Sequence, residues 1–225
     1  MGRVVTFLVL AVVIGSVRLS SARERADEEL PITIQIHDYW HVPTESLSRA
    51  SAVVTNTYEK IGVRTEWLDV VRQGDKPRAG KHRRETSRIP NAQLTIIILT
   101  KEMAARGQIA DGALGMAAVA DEGMGRIAYA IYDRVRDTAS RAGIGDADLL
   151  GFVMAHEIGN LLLPHGSQPE SGLMRGRWTI RDFRRIDVAN LEFSPLQASQ
   201  IRVTIENNPM VFAANVETAG STRTR

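Results

Sequence analysis

The stretch that decides the fold is Gly151–Arg175, which reads GFVMAHEIGNLLLPHGSQPESGLMR. A stripe on this stretch and just before it recurs at the spacing of a helix and consists of Leu149, Val153, His156, Asn160 and Leu163. Most of the positions between them are apolar as well, which predicts a helix over Asp148–Leu163 that is buried on nearly every side. Pro164 disfavours helix at the residue before it and is expected to end this helix near Leu163.

The dipeptide His156-Glu157 on this helix matches the beginning of the H-E-x-x-H pattern of zinc hydrolases. In that pattern two histidines four residues apart leave the same face of the helix and bind zinc, and the glutamate activates a metal-bound water as general base. A catalytic zinc ion takes three protein ligands and keeps one position open for water. His156 therefore matches the first ligand and Glu157 the general base, whereas the second ligand position holds Asn160.

Together with the GLM sequence at 172–174, the helix resembles the active-site segment of the metzincin zinc metallopeptidases. Metzincins add a third histidine beyond the helix and a methionine turn beneath the metal. The resemblance implies that Met174 belongs to the methionine turn. It places the third ligand at Gly166 in the usual spacing, or at Gln168 in a close variant that resembles HEIGHLLL…SHS…GLM. On the second alignment, two of the three ligand positions, Asn160 and Gln168, carry amide side chains.

The resemblance covers about residues 31–205, because the segments ITIQIHDYWHVP, GRIAYAIYDRV and AHEIG…GLMR are all similar to small secreted bacterial metzincin-like proteins. It implies a single α/β (α+β) domain with a metzincin-like twisted mixed sheet, a backing helix, a buried site helix, a methionine turn and a C-terminal helix. It also implies that Gly112–Val119 forms the edge strand of the sheet, which in metzincins pairs with the backbone of a peptide substrate.

The rest of the chain predicts elements in the matching order. Isoleucines alternate with polar residues over Ile32–Ile36, which indicates a strand with one buried face. The further predicted elements are a backing helix that begins at Thr44 and stops at Gly62, strands Val63–Val71, Leu94–Leu99, Ala113–Ala120 and Arg126–Tyr132, a helix Asp133–Ala142 and a final helix Leu196–Ile205. Ser194 is the expected cap of the final helix, and Asp146 or Asp148 is the expected cap of the site helix. The basic run Gln73–Asn91 is expected to be a solvated loop.

Length and the N-terminus indicate one exported domain. The chain has 225 residues, enough for a single domain with a sizeable core. Residues 1–22 are typical of a secretory signal peptide, with Arg3 before the apolar run Val4–Ile14; a retained signal anchor is the alternative, although this run is short for a bilayer. The chain has no cysteine, so it would be exported without disulfides, and we expect a secreted or periplasmic protein.

The net charge of the chain without residues 1–22 indicates which class of partner it is expected to bind. Removing residues 1–22 takes away Arg3 and Arg18, which leaves 26 of the 28 basic residues against 26 acidic ones. A formal net charge of zero argues against nucleic acid as the main partner, and no stable membrane span is expected once the signal is removed. A peptide or protein, as substrate or ligand, is the expected partner. Residues 23–30 are expected to be a flexible lead-in and residues 206–225 a disordered tail.

Three functions remain compatible with these residues. In the first, the protein is an active zinc metallopeptidase with His156 and His165 as ligands, Glu157 as general base and weak help from Asn160 or Gln168. In the second, the peptidase fold is kept while zinc binding and hydrolysis are weak or lost. In the third, the protein is a non-enzymatic secreted binding domain. Zinc prefers thiolate, imidazole and carboxylate ligands, whereas amide oxygens suit calcium or magnesium, so ligand chemistry favours the second function.

Overall fold

The computed structural model describes residues 30–72, 74, 94–118, 127–163, 172–176, 178 and 191–207. The strands within these ranges are β1 (Leu30–Asp38), β2 (Val63–Trp67), β3 (Val71–Arg72), β4 (Leu94–Leu99), β5 (Gly115–Ala118) and β6 (Ile127–Ile131). The helices are α1 (Thr44–Glu59), α2 (Lys101–Arg106), α3 (Tyr132–Ala142), α4 (Asp146–Leu162) and α5 (Pro195–Glu206). The first strand and the last helix therefore extend one residue beyond each end of the 31–205 range expected for the domain.

The strands form one mixed sheet in the order β2-β1-β4-β6-β5, with β3 as a second partner of β1. All neighbouring pairs are parallel except β5 and β6, which are antiparallel. The isoleucines of β1 at 32, 34 and 36 are buried to within 1% exposure, as their alternation predicts. The α/β class with a mixed sheet, a backing helix, a buried site helix and a C-terminal helix is confirmed.

The strand predicted over Val63–Val71 is divided into β2 and β3. Ile34 pairs with Trp67 and His37 pairs with Val71, so three steps along β1 correspond to four steps along the partner. The extra residue interrupts the pairing between the two short strands, as a bulge does. Beyond the interruption, β3 is held partly by the Arg72 side chain, whose Nε donates to Asp38 Oδ2 at 3.2 Å.

Helix α1 backs helix α4, which carries the His156-Glu157 pair. The buried face of α1 includes the residues that helical spacing predicts, namely Leu47, Ala50, Val54 and Tyr58. At Gly151 the two helices come so close that an added Cβ would lie 2.6 Å from Val53 Cβ and 2.7 Å from the Ala50 carbonyl oxygen. The hydroxyl of Tyr58 donates to the Ala155 carbonyl at 3.1 Å, which fixes α1 against the turn of α4 that precedes His156.

Helix α4 begins earlier than the sequence indicates. It starts at Asp146 rather than Asp148, and its N-cap is Gly145, without a side-chain cap. The prediction that Asp146 or Asp148 caps the helix is therefore wrong, because both lie inside the first turn and have other partners: Tyr132 for the first and Arg49 for the second. At the other end, Leu163 has an extended backbone with ψ 149°, as expected for a residue before proline.

The last helix, α5, begins as the sequence predicts. Ser194 and Gln197 form a reciprocal capping box, and Pro195 occupies the first helical turn. Helix α5 packs against α4 and β1. Among the helices of the described ranges, none combines the length and apolar character needed to cross a bilayer.

Candidate active-site cleft

His156 lies on the part of α4 that faces the turn at 172–175. Its Nδ1 lies 2.7 Å from the carbonyl oxygen of Leu173. A carbonyl oxygen only accepts, so Nδ1 carries the proton and Nε2 keeps its lone pair. Burial lowers the pKa of His156 below 6.5, although the bond to Leu173 opposes this shift, and the ring is therefore neutral near pH 7. A neutral imidazole whose other nitrogen is held by a carbonyl is the form in which histidine binds metals.

Glu157 is almost completely withdrawn from solvent, with 7% of its surface exposed. Burial raises the pKa of its carboxyl group to about 7, while the hydrogen bond from Asn160 acts in the opposite direction. The side chain lies against the edge strand β5, since a Cβ added at Gly115 would be 2.7 Å from both Cγ and Oε1 of Glu157. Glycine at this position thus allows the carboxylate to approach the strand. A carboxyl group with a pKa near neutrality is suited to general acid-base chemistry.

Asn160 occupies the position where a second histidine ligand would stand. It lies four residues after His156 and three after Glu157, so it is one helical turn from both. Its Nδ2 donates to Glu157 Oε2 at 3.0 Å. The amide nitrogen is therefore turned to the carboxylate, and only the neutral Oδ1 is left to face a metal ion.

The turn at 172–175 lies under this part of α4. Gly172 has φ +81°, which favours glycine, and the Arg175 amide donates to the Gly172 carbonyl at 3.3 Å. Met174 is 1% exposed, and its sulfur would be 2.6 Å from a Cβ added at Gly159, so the absence of a side chain on α4 makes room for the methionine. Met174 thus packs directly against α4, and its assignment to a methionine turn beneath the site stays a prediction.

Other residues of the predicted site lie outside the described part of the chain. Both Gln168 and His165 fall there, so the predicted convergence of Gln168 with His156 stays a prediction, as does a ligand role for His165. One neighbour of the site has no signal in the sequence: Trp178 packs edge-on against the His156 ring, with centroids 5.1 Å apart. No spacing rule connects a loop tryptophan to a helix residue that precedes it by about twenty positions.

The described residues do not by themselves fit a zinc ion. In the described ranges no three histidine or acidic side chains are grouped so that they could hold a metal. His156 offers one good nitrogen ligand, and Asn160 offers only an amide oxygen, which zinc accepts poorly. No catalytic step through zinc is derived from this arrangement.

Comparisons with known proteins find a structural likeness but no matching family. No family model matches the chain, and no curated protein matches it. Among solved structures the chain is similar to a zinc-dependent peptidase from Methanocorpusculum labreanum, with a TM-score of 0.47 and 13% sequence identity. The alignment covers 75% of this chain and 99% of that one. Since a likeness of this size carries no argument about activity, the chemistry of the cleft depends on its own residues.

Proposed function

We propose that the chain is an exported, metzincin-like domain that binds peptides and in which zinc-dependent peptide hydrolysis is weak or lost. The observation that carries this proposal is the 3.0 Å hydrogen bond from Asn160 Nδ2 to Glu157 Oε2. In an H-E-x-x-H site the fifth residue of the pattern binds the metal and leaves the glutamate free to activate water. Here that residue donates to the glutamate instead, so one substitution removes a ligand and occupies the base.

The position of β5 supports peptide binding. Among the described strands, β5 ends the sheet, so the strand order has no neighbour on its outer side. It lies within the range Gly112–Val119 that the metzincin resemblance assigns to the substrate-binding edge. An extended peptide that added to this edge as a further strand would run beside the Glu157 carboxyl group, which touches Gly115. Peptide binding is thus compatible with a cleft that no longer hydrolyses.

A second candidate function is an active zinc metallopeptidase. The observation in its favour is the bond from His156 Nδ1 to the Leu173 carbonyl, which prepares Nε2 as a ligand. In this alternative His156 and His165 hold the zinc, which would polarise the scissile carbonyl and its attacking water, and Glu157 acts as general base. Hydrolysis would then require Glu157 to exchange its bond with Asn160 for one to water.

Metal analysis of the protein lacking residues 1–22 separates the two functions. The preparation is saturated with zinc, freed of excess metal, and assayed for metal content and for cleavage of unfolded casein. The proposal expects well below one zinc per chain and little cleavage. Stoichiometric zinc with cleavage that Glu157→Ala abolishes would establish the active enzyme instead, and the variants His156→Ala and His165→Ala would identify its ligands.

A further inference from the structure

Three side chains of the cleft beside β5 each keep one hydrogen-bond acceptor that no described side chain engages. Each of three side chains has one polar atom already engaged: His156 through Nδ1, Glu157 through Oε2 and Asn160 through Nδ2. The atoms left over are Nε2, Oε1 and Oδ1, all of which accept hydrogen bonds. Within the part of the chain that the structure describes, no donor reaches any of the three.

These acceptors belong to one small region. His156 and Asn160 are four residues apart on α4 and share a helix face, and Asn160 is bonded to Glu157. Glu157 is more than nine-tenths buried, and its free Oε1 is directed to the edge strand at Gly115. The Oε1 atom keeps its capacity to accept a hydrogen bond, which a bound ligand or a water molecule can use. The arrangement therefore points to a ligand that brings donors and positive charge.

We propose that this cleft recognises a primary ammonium group of a bound peptide. An ammonium group has three N–H donors and no acceptor, which matches the set formed by His156 Nε2, Glu157 Oε1 and Asn160 Oδ1. A zinc ion would gain one imidazole nitrogen and one carboxylate oxygen from the same set, but its third ligand would be an amide oxygen, which zinc accepts poorly. Asparagine rather than histidine at position 160 thus weakens a metal site and leaves a site for an amine in the same place.

The inference rests on the proposed binding of peptides along β5, and it names the group that such a peptide would place in the cleft. Either a lysine side chain or a free N-terminal amine supplies the same chemistry. An incoming strand has its backbone fixed by the edge of β5, so its register decides which amine reaches Glu157. The two sources are distinguished by the choice of peptide.

Three fluorescently labelled peptides of one length provide the test, with a chelator present to remove metal. The first has a blocked N-terminus and a central lysine; the second is identical except that norleucine replaces lysine; the third has norleucine and a free N-terminus. Affinity is measured by fluorescence anisotropy at a pH above the pKa of Glu157. We expect the first or the third peptide to bind at least about tenfold more tightly than the second, because a charged hydrogen bond is lost in the second.

Variants of the protein assign the effect to the cleft. Glu157→Gln keeps the size of the side chain and removes its charge, so the advantage of the amine-bearing peptide over the norleucine peptide should disappear. Glu206→Gln, at the exposed end of α5, makes the same change in net charge and should preserve that advantage. On the unmodified protein, ethylammonium should displace the amine-bearing peptide, whereas tetramethylammonium, which has the same charge and no N–H donor, should not.

The possible outcomes separate this inference from the proposed function. If all three peptides bind equally well, peptide binding stands and the ammonium site is refuted. If none binds the unmodified protein, the proposed peptide binding fails, and the inference fails with it. Equal displacement by the two ammonium ions would show that charge alone acts and would also overturn the three-acceptor site.

Discussion

The carbonyl oxygen of Leu173 lies 2.7 Å from Nδ1 of His156, seventeen residues earlier in the chain. The turn that follows the site helix therefore fixes the orientation and the tautomer of the histidine. This relationship is the one that a metal-binding histidine requires, and it persists beside a position, Asn160, that does not suit zinc. Helix α4 thus carries an imidazole oriented as a metal ligand would be and, four residues later, an amide that zinc accepts poorly.

Restoring the two substituted ligand positions is expected to create a zinc site. In the double variant Asn160→His, Gln168→His, the three imidazoles of a metzincin would be present, and Glu157 would lose its hydrogen bond to the amide. We expect about one zinc per chain and measurable cleavage of casein, whereas each single variant should bind zinc more weakly. Metal content after dialysis and the rate of cleavage are the measurements.

The general base provides the control for the restored protein. Glu157→Ala in the double variant should abolish cleavage and leave the zinc content unchanged, because the glutamate activates water and is not a ligand. A double variant that folds but binds no zinc would show that position 168 does not reach the site and that the alignment with the close metzincin variant is wrong.

The stability of the metal-free protein should depend on pH through Glu157. Burial raises the pKa of this carboxyl group from 4.5 in the unfolded chain to about 7. Below pH 4.5 the Glu157 carboxyl group is neutral in both the folded and the unfolded chain. Between pH 4.5 and about 7 only the unfolded chain releases the proton, so the free energy of unfolding falls as pH rises. The loss is complete above about pH 7. The full effect is on the order of 3 kcal/mol, from about 1.4 kcal/mol per pKa unit.

Glu157→Gln isolates this effect. His156 has a lowered pKa, so its own contribution decreases as pH falls and partly masks that of Glu157 in the same range. When the free energies of unfolding of the unmodified protein and of the variant are subtracted at each pH, the contribution of His156 largely cancels. Urea unfolding with chelator present should show the variant gaining stability relative to the unmodified protein as pH rises from about 5 to about 8. A difference that does not change with pH would refute the raised pKa of the buried Glu157 carboxyl group.

The sequence predicts those parts of the fold in which apolar spacing decides the structure. Helix α4 and the central strands are recovered because their side chains are buried in a regular period, and the cap at Ser194 is recovered because its hydrogen bonds are local. The start of α4 is not recovered, because Asp146 bonds to Tyr132, fourteen residues away, instead of capping its own helix. The same limit applies to the cleft: the bond between Asn160 and Glu157 follows from helical spacing, but the contacts of His156 with Leu173 and Trp178 depend on the tertiary fold.

Asp38 is expected to be essential for the stability of the sheet. Its side chain is completely buried at the end of β1, where it accepts from the His41 amide at 2.9 Å and from Arg72 at 3.2 Å. Asp38→Ala would leave both donors without this partner, so we expect a loss of about 3 kcal/mol in the free energy of unfolding. The pair Lys60–Glu192 is the control: its side chains are 49% and 55% exposed, and Glu192→Gln should cost less than about 1 kcal/mol. Equal losses in the two variants would contradict this account.

Gly151→Ala tests the contact between α1 and α4 that supports the cleft. In an exposed helix this change stabilises by about 1 kcal/mol, because alanine is the better helix former. At Gly151 the new Cβ would lie 2.6 Å from Val53 Cβ and 2.7 Å from the Ala50 carbonyl oxygen, and the backbone atom cannot move aside unless the helices separate. Forcing a methyl group into such a contact typically costs about 1–3 kcal/mol, so we expect a net loss of stability in urea unfolding.

Two further variants make this last test specific. Ser199→Ala on the exposed face of α5 has no such contact and should be neutral or slightly stabilising. Adding Val53→Ala to Gly151→Ala removes the Cγ1 atom that lies 2.9 Å from the new methyl group, but leaves the Cβ of residue 53 and the carbonyl of Ala50 in place. The double variant should therefore recover part of the loss relative to the sum of the two single changes. If Gly151→Ala is as stable as the unmodified protein, the two helices do not approach as closely as these distances state.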